Sequence, residues 1–303
     1  MGTKRIILWI EGTDCQNLPA ALENLEKDAG YIELFGVTGT KRMTANWHGR
    51  ALPYIPVDKI SGKMTDYVVL SGGQYNFAVI APYLANQGLG EGRVFPDRVI
   101  LVPGFSPEKY CQLQSSNLSI ISLTCFGGLL CHRFGLPFRS PFINMFLHED
   151  DFIRMLEANP QKSLQGELTF KRTEYEQNLH FDYPVFDLNG FEIHMNHYPD
   201  FEEAKRKWKE RLERMNWDNL FVVMNTERKD ILERFDRLPF LKKACVVPFE
   251  SNLLSAYSIR LEEFKPPVLW MSFNAIASGS GDSGFKYDYW DMLLYGQKTC
   301  LET

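Results

Sequence analysis

The chain has no Cys-x-x-Cys pair. Its six cysteines are scattered at Cys15, Cys111, Cys125, Cys131, Cys245 and Cys300. No zinc-ligand spacing occurs, so a zinc finger and a thioredoxin-type redox site are both excluded. Cys131 and His132 are adjacent, which points their side chains apart rather than toward one metal; no metal site is expected. No apolar run approaches the ~20 residues that span a bilayer. At the N-terminus, Lys4 and Arg5 lead into a short apolar strand without the apolar region and cleavage site of a signal peptide. A cytoplasmic protein with reduced thiols and no membrane span is expected. Positive charge is also lacking, since the formal net charge is −5. That excludes non-specific nucleic-acid binding, which needs a basic field. A phosphorylated small molecule in a locally positive pocket stays open.

What is present is ordinary globular material: 45% hydrophobic and 23% charged residues, enough for a sizeable core. At 303 residues the chain exceeds the usual size of one domain. Strands alternate with helices, which implies parallel βαβ units. The fold class expected is α/β: two Rossmann-like three-layer α/β domains with mostly parallel sheets, at residues 1–115 and 116–303. The proline-bearing segment 95–116 is the expected linker. In the first domain, strands are read at Arg5–Ile10, Tyr31–Val37, Asp66–Leu70 and Arg98–Val102, with helices opening at Leu18 and Asn76. The loop after the first strand, Gly12-Thr13-Asp14-Cys15-Gln16-Asn17, has one of the three glycines of a dinucleotide fingerprint. The second strand ends at Thr38, Gly39, Thr40 and Lys41, with no acid for a ribose. Asp14 would repel a pyrophosphate. NAD is therefore disfavoured. Two alternatives remain: a nucleotide or nucleotide sugar held by Gly12, Ser71, Gly72 and Gly73, or a structural domain that binds nothing.

The second domain carries denser signals. A strand over Leu118–Thr124 meets Cys125-Phe126-Gly127-Gly128 and a short helix to Phe134, with Gly135 as its terminator. A glycine pair at a helix N-terminus can cradle an anion. Phe191, Ile193 and Met195 alternate with Glu192, His194 and Asn196, which is strand periodicity. His197 and Tyr198 fill the next loop. Asp200 caps a helix whose stripe is Phe201, Ala204, Trp208, Leu212 and Met215. Its many Lys and Arg pair with Glu at helical spacing; Arg211 and Arg214 stand nearest the end. Strands follow at Leu220–Met224, Ala244–Val247 and Val268–Phe273. Four strand ends are thus polar: Thr124 and Cys125; His194, Asn196 and His197; Asn225 and Thr226; Ser272 and Asn274. In a parallel sheet such ends share one edge, where α/β proteins keep their ligands. Asp151 is read as a cap for the helix over Phe152–Leu156, and no Asp-x-Asp of metal-dependent glycosyltransferases is present.

The runs Cys125 to Gly128, His132 to Leu136, Ser140-Pro141-Asn144, His197-Tyr198-Phe201-Ala204-Trp208-Arg211 and Arg214-Asn216-Asp218-Asn219 resemble a bacterial family of unknown function grouped with exopolysaccharide-biosynthesis proteins. The likeness covers most of the second domain. Thr124 departs from it, because Asn is usual there. The resemblance implies an enzyme of cell-surface or exopolysaccharide biosynthesis, a transferase on a glycan or an activated sugar. A non-catalytic binder of sugar nucleotides or glycans and an NAD-dependent oxidoreductase are the alternatives. His197 is the expected general base, with His132 next. Cys125 is either a thiolate activated at a helix N-terminus or a small buried residue. Thr124, Gly127, Gly128, Ser140, Asn144, Arg211, Arg214, Asn216 and Asn225 are the expected substrate contacts.

Overall fold

A computed structural model describes residues 3–301 apart from 13–14, 74–75, 91 and 178–179. The chain divides into two units, Met1–Ser116 and Asn117–Thr303. Among the described residues no helix is long and apolar enough to cross a membrane.

In the first unit, β1 (Lys4–Ile10) leads to α1 (Leu18–Ala29), β2 (Ile32–Thr38), a hairpin of β3 (Ala45–Trp47) and β4 (Arg50–Leu52), then β5 (Tyr67–Ser71), α2 (Phe77–Leu84), β6 (Val94–Pro96), α3 (Asp97–Ile100) and α4 (Pro107–Ser115). The main sheet runs β2-β1-β5-β6 and is wholly parallel. Its central strands are continuous apolar runs, Ile6 to Trp9 and Tyr67 to Leu70, all buried. That pattern arises when both faces of a sheet are covered. Arg98–Val102 is not a strand: α3 occupies most of it, and the edge strand is Val94–Pro96. An apolar run this short fits either state, and Pro96, which cannot donate to a ladder, ends the strand. Residues 95–116 form no linker, because β6, α3 and α4 fill them. Ser106 caps α4 by accepting from the Lys109 amide.

The second unit holds β7 (Ser119–Ser122), α5 (Phe126–Phe134), α6 (Glu149–Glu157), α7 (Pro160–Ser163), β8 (Thr169–Glu176), β9 (Phe181–Leu188), β10 (Phe191–His194), α8 (Phe201–Leu212), β11 (Leu220–Asn225), α9 (Lys229–Asp236), β12 (Lys242–Val247), β13 (Ala256–Ser258), α10 (Leu269–Ser278) and α11 (Tyr289–Tyr295). A parallel sheet runs β13-β12-β11-β7. Ile121, Leu123, Val222, Met224, Cys245 and Val247 share one core with Phe152, Trp208 and Ile231 of α6, α8 and α9. The opposite face meets α5, where a Cβ on Gly127 would lie 3.1 Å from Ile120. α10 stacks on α5 through Phe126 and Phe273, ring centroids 4.1 Å apart.

Three expectations fail here. Val268–Phe273 is not a strand, because Leu269, Phe273, Ile276 and Ala277 line the buried side of α10. Ser272 is therefore on a helix. β10 is a strand, yet it belongs to an antiparallel sheet, β10-β9-β8. Asp151 lies inside α6 rather than at its cap, which is His148. The segment 143–149 joins the two sheets. Leu147 donates its amide to Leu123 O at the end of β7, and Phe146 exchanges two backbone bonds of 3.0 Å with His194.

Candidate functional site

The C-terminal end of the second parallel sheet gathers the polar groups. β7 and β11 stay paired as far as Leu123, whose amide donates to Val223 O. Thr124 stands two residues past the end of β7, and Asn225 is the last residue of β11. Asn225 continues the face of Phe221 and Val223, opposite to the Val222 and Met224 face that packs on α8. It therefore looks toward α5 and α10. From α10, Asn274 accepts a 3.3 Å bond from the Thr124 hydroxyl. Asn225 Oδ1 and Ser272 Oγ are buried with no protein partner, which costs about 1–3 kcal/mol for each such group. Thr226 donates to Glu149 Oε2 at 2.9 Å. Burial raises the Glu149 carboxyl above its usual pKa, with the Thr226 bond and Arg228 opposing.

The glycine pair does not act as an open anion cradle. The Gly127 amide is taken by Ser122 Oγ at 3.1 Å, and the Phe126 amide by Thr124 Oγ1 at 3.4 Å. Gly127 and Gly128 serve packing instead: a Cβ on Gly127 would sit 2.8 Å from Ser122 Oγ, and one on Gly128 3.2 Å from Ile143 Cγ2. Cys125 is the first residue of the turn. Burial pushes its thiol up to about 11, against the pull of the Met145 backbone and its own. A helix N-terminus lowers a thiol pKa only where solvent or a cation supports the thiolate, so Cys125 is no activated nucleophile.

On the other side of this turn stands a second cluster. Tyr198 donates its hydroxyl to Ile143 O at 3.2 Å, and Arg211 Nη1 donates to the Tyr198 oxygen at 2.5 Å and to Ile143 O at 3.4 Å. Both residues are buried. Arg211 lies over the Phe138 ring, 5.7 Å from its centroid. Ser140 is buried too, its hydroxyl accepting from the Phe142 amide at 3.3 Å. Asn144 is exposed at a φ of 61°, a left-handed conformation that Asn tolerates.

Other expected residues lie elsewhere. Asn216 is at the opposite end of the sheet: its amide N–H donates to Ser119 Oγ and its side chain to Asn117 O. Arg214 folds back on its own helix, Nε donating to Glu210 O. His132 is exposed in the last turn of α5, where a cation favours the helix dipole. His197 is exposed on the loop after β10, beyond the antiparallel sheet, so it does not share an edge with Thr124 and Asn225. Desolvation by the surrounding chain holds its imidazole below the usual pKa, and Glu176 pulls it part way back.

One group not expected from the sequence is built around His194, which is 1% exposed. Its ring stacks on Phe146 at 4.5 Å and meets His148 edge-on at 4.8 Å. Glu174 lies 3.3 Å from Nδ1 and Glu192 3.7 Å from Nε2. Arg172 bonds both carboxylates. Arg172, then Lys171, hold the Glu192 carboxyl down to about 2. The signal for this cluster is a cross-strand pairing of β8, β9 and β10, invisible until the register is known.

In the first unit, part of the expected cofactor loop is engaged by the protein itself. Ser71 donates to Asp97 Oδ2 at 2.7 Å, and both are buried. Glu11 accepts from Trp9 Nε1, the Thr40 amide and the Thr40 hydroxyl. Its carboxylate thus ties the end of β1 to the turn after β2. Gly72, at a φ of 100°, passes so close to Glu11 that a Cβ would strike its carbonyl oxygen at 1.8 Å. Gly12 and Gly73 also take positive φ. Asp14 lies outside the described residues.

Among known proteins, a family model described as a domain of unknown function (DUF1919) matches residues 98–290. An uncharacterized protein of Haemophilus influenzae is 40% identical over 191 residues, covering 61% of this chain and 86% of that protein. Two crystal structures of aspartate semialdehyde dehydrogenase II from Vibrio cholerae align at 12% and 8% identity. Their TM-scores are 0.25 and 0.26; the first, complexed with ASA, covers 52% of this chain and 47% of its own, the second 78% and 80%. Scores at this level carry no structural argument.

Proposed function

The chain belongs to the DUF1919 family, and we propose that this member is an enzyme of cell-surface or exopolysaccharide biosynthesis, a transferase that works on a glycan or an activated sugar. The observation that carries the reading is the set of neutral hydrogen-bonding groups at one sheet end: Thr124 paired with Asn274, and Asn225 with a buried oxygen lacking a partner among the described residues. Uncharged oxygens and amides in such a cluster suit the hydroxyls of a sugar, which both donate and accept. A site built to hydrogen-bond hydroxyls rejects analogues that lack them. The resemblance of the second unit's motifs to exopolysaccharide-biosynthesis proteins supports the choice of pathway.

His197 is the general base in this reading, acting from the loop after β10 rather than from the sheet end that carries Thr124 and Asn225. Its lowered pKa keeps the ring neutral at physiological pH, able to take the proton of an acceptor hydroxyl as that oxygen attacks the donor. Cys125, with a thiol near 11, takes no part as a nucleophile. The test compares His197→Ala with Trp208→Ala, using a panel of nucleotide sugars and glycan acceptors. His197→Ala lowers turnover about a hundredfold and melts as the parent does. Trp208→Ala removes a buried aromatic and destabilises by about 3–5 kcal/mol. Full turnover by His197→Ala removes the histidine from the mechanism. Saturable sugar binding with no turnover on any donor overturns the transferase reading.

A further inference from the structure

We infer that Arg211 is the anchor of a binding site for a phosphoryl group. The inference deepens the activated-sugar reading by naming the charged part of the ligand. Its test uses no sugar, so the two stand or fall separately.

The argument begins with charge. Arg211 is 8% exposed, and a guanidinium stays protonated at any physiological pH. A buried charge needs a counter-charge or very full hydrogen bonding. The same unit shows the usual solution at Arg133, which is equally buried and bonds Asp282 at 2.5 Å. Among the described residues Arg211 has no such partner. Its bonds go to the Tyr198 hydroxyl and the Ile143 carbonyl. Tyr198 does not supply the charge as a phenolate: burial raises its pKa above the ordinary value, and Arg211 only opposes that shift. Glu203, a carboxylate felt by Tyr198, lies by Arg206 at 3.9 Å.

The bonding is also one-sided. Both acceptors hold Nη1. Nε and Nη2 make no bond among the described residues and are not among the sealed polar atoms, so that edge of the fork reaches solvent. It is fixed in place by Tyr198, Ile143 and the Phe138 ring. Two parallel N–H groups on a rigid plane match two oxygens of a phosphoryl group. Arg139 follows Phe138 directly. It has no ion pair among the described residues, and its Nε is buried without a partner. Arg139 is one residue along the chain from the ring over which Arg211 lies, and a second positive charge there suits a doubly charged anion better than a single carboxylate.

Isothermal titration of the full chain with inorganic pyrophosphate, at physiological ionic strength, tests this. Succinate is the carboxylate arm, and Arg206→Gln is the control for an exposed arginine. The expected result is saturable pyrophosphate binding that weakens at least tenfold in Arg211→Lys, which keeps the charge and loses the fork. Arg206→Gln stays within twofold. Arg139→Lys weakens binding at least threefold, and it decides the matter if Arg211→Lys fails to fold by thermal melting. No saturable binding by the parent overturns the inference. So does succinate binding in place of pyrophosphate, or equal affinity in the Arg206 variant, Arg139→Lys and Arg211→Lys.

Discussion

His194 concentrates the electrostatics of a single residue. Burial holds its imidazole below the ordinary pKa, with Glu174 and Glu192 opposing and His148 and Arg172 reinforcing. The folded chain therefore keeps His194 neutral where the unfolded chain would bind a proton. As pH falls below about 6.5, the unfolded state gains protons that the native state refuses, and stability falls. The carboxyls of Glu174 and Glu192 are shifted below their usual values. Their contribution is complete above about 4.3 and disappears as pH falls through the folded values. Melting temperature against pH is expected to drop in two stages. His197 titrates in the first stage as well, so His194→Phe reduces that stage without abolishing it. An unchanged first stage in His194→Phe would mean that the buried ring does not control acid stability.

At the scale of elements, the parallel strands were readable because each is an apolar run bounded by polar or glycine turns. β1, β2, β5, β7, β11 and β12 fall where the pattern puts them. α8 is legible to its cap: Asp200 accepts from the Glu202 and Glu203 amides, and Ala204 and Trp208 are buried. The failures are short apolar stretches, 98–102 and 268–273, where a run of five or six residues fits a strand or a helix. The strand pairing of β10 was not readable, because alternation gives one apolar face and no neighbour. That is why Thr124 and Asn225 come out on neighbouring strand ends, while Ser272 lies on a helix and His197 follows a strand of the other sheet. The glycines of α5 give a test at this scale. Alanine gains at most ~1 kcal/mol of helix propensity, against about 1–3 kcal/mol for overpacking. A Cβ at Gly127 meets Ser122 Oγ at 2.8 Å, the atom that holds its own amide; at Gly128 it meets a methyl at 3.2 Å. Gly127→Ala is expected to lose about 1–2 kcal/mol in denaturant unfolding, and Gly128→Ala to stay within ~0.5 kcal/mol. The reverse order would mean that α5 moves freely on the sheet.

For the whole molecule, one hydrophobic core draws only on residues from Ile7 to Val94 and another only on Ile121 to Ala256. A unit with its own core folds alone. Residues 117–303 expressed separately are expected to melt in one cooperative transition, seen by circular dichroism and calorimetry; a gradual loss of signal would show that the second unit depends on the first. The two backbone bonds between Phe146 and His194 have a further consequence, in the order of assembly. β8, β9 and β10 are joined by short turns and can pair locally. The Phe146 ladder instead closes a long loop, whose entropy must be met before its bonds form. The amides of Phe146 and His194 then belong to the last step of folding and the first of local opening. In hydrogen exchange they should lose protection as a pair, ahead of the strands on either side.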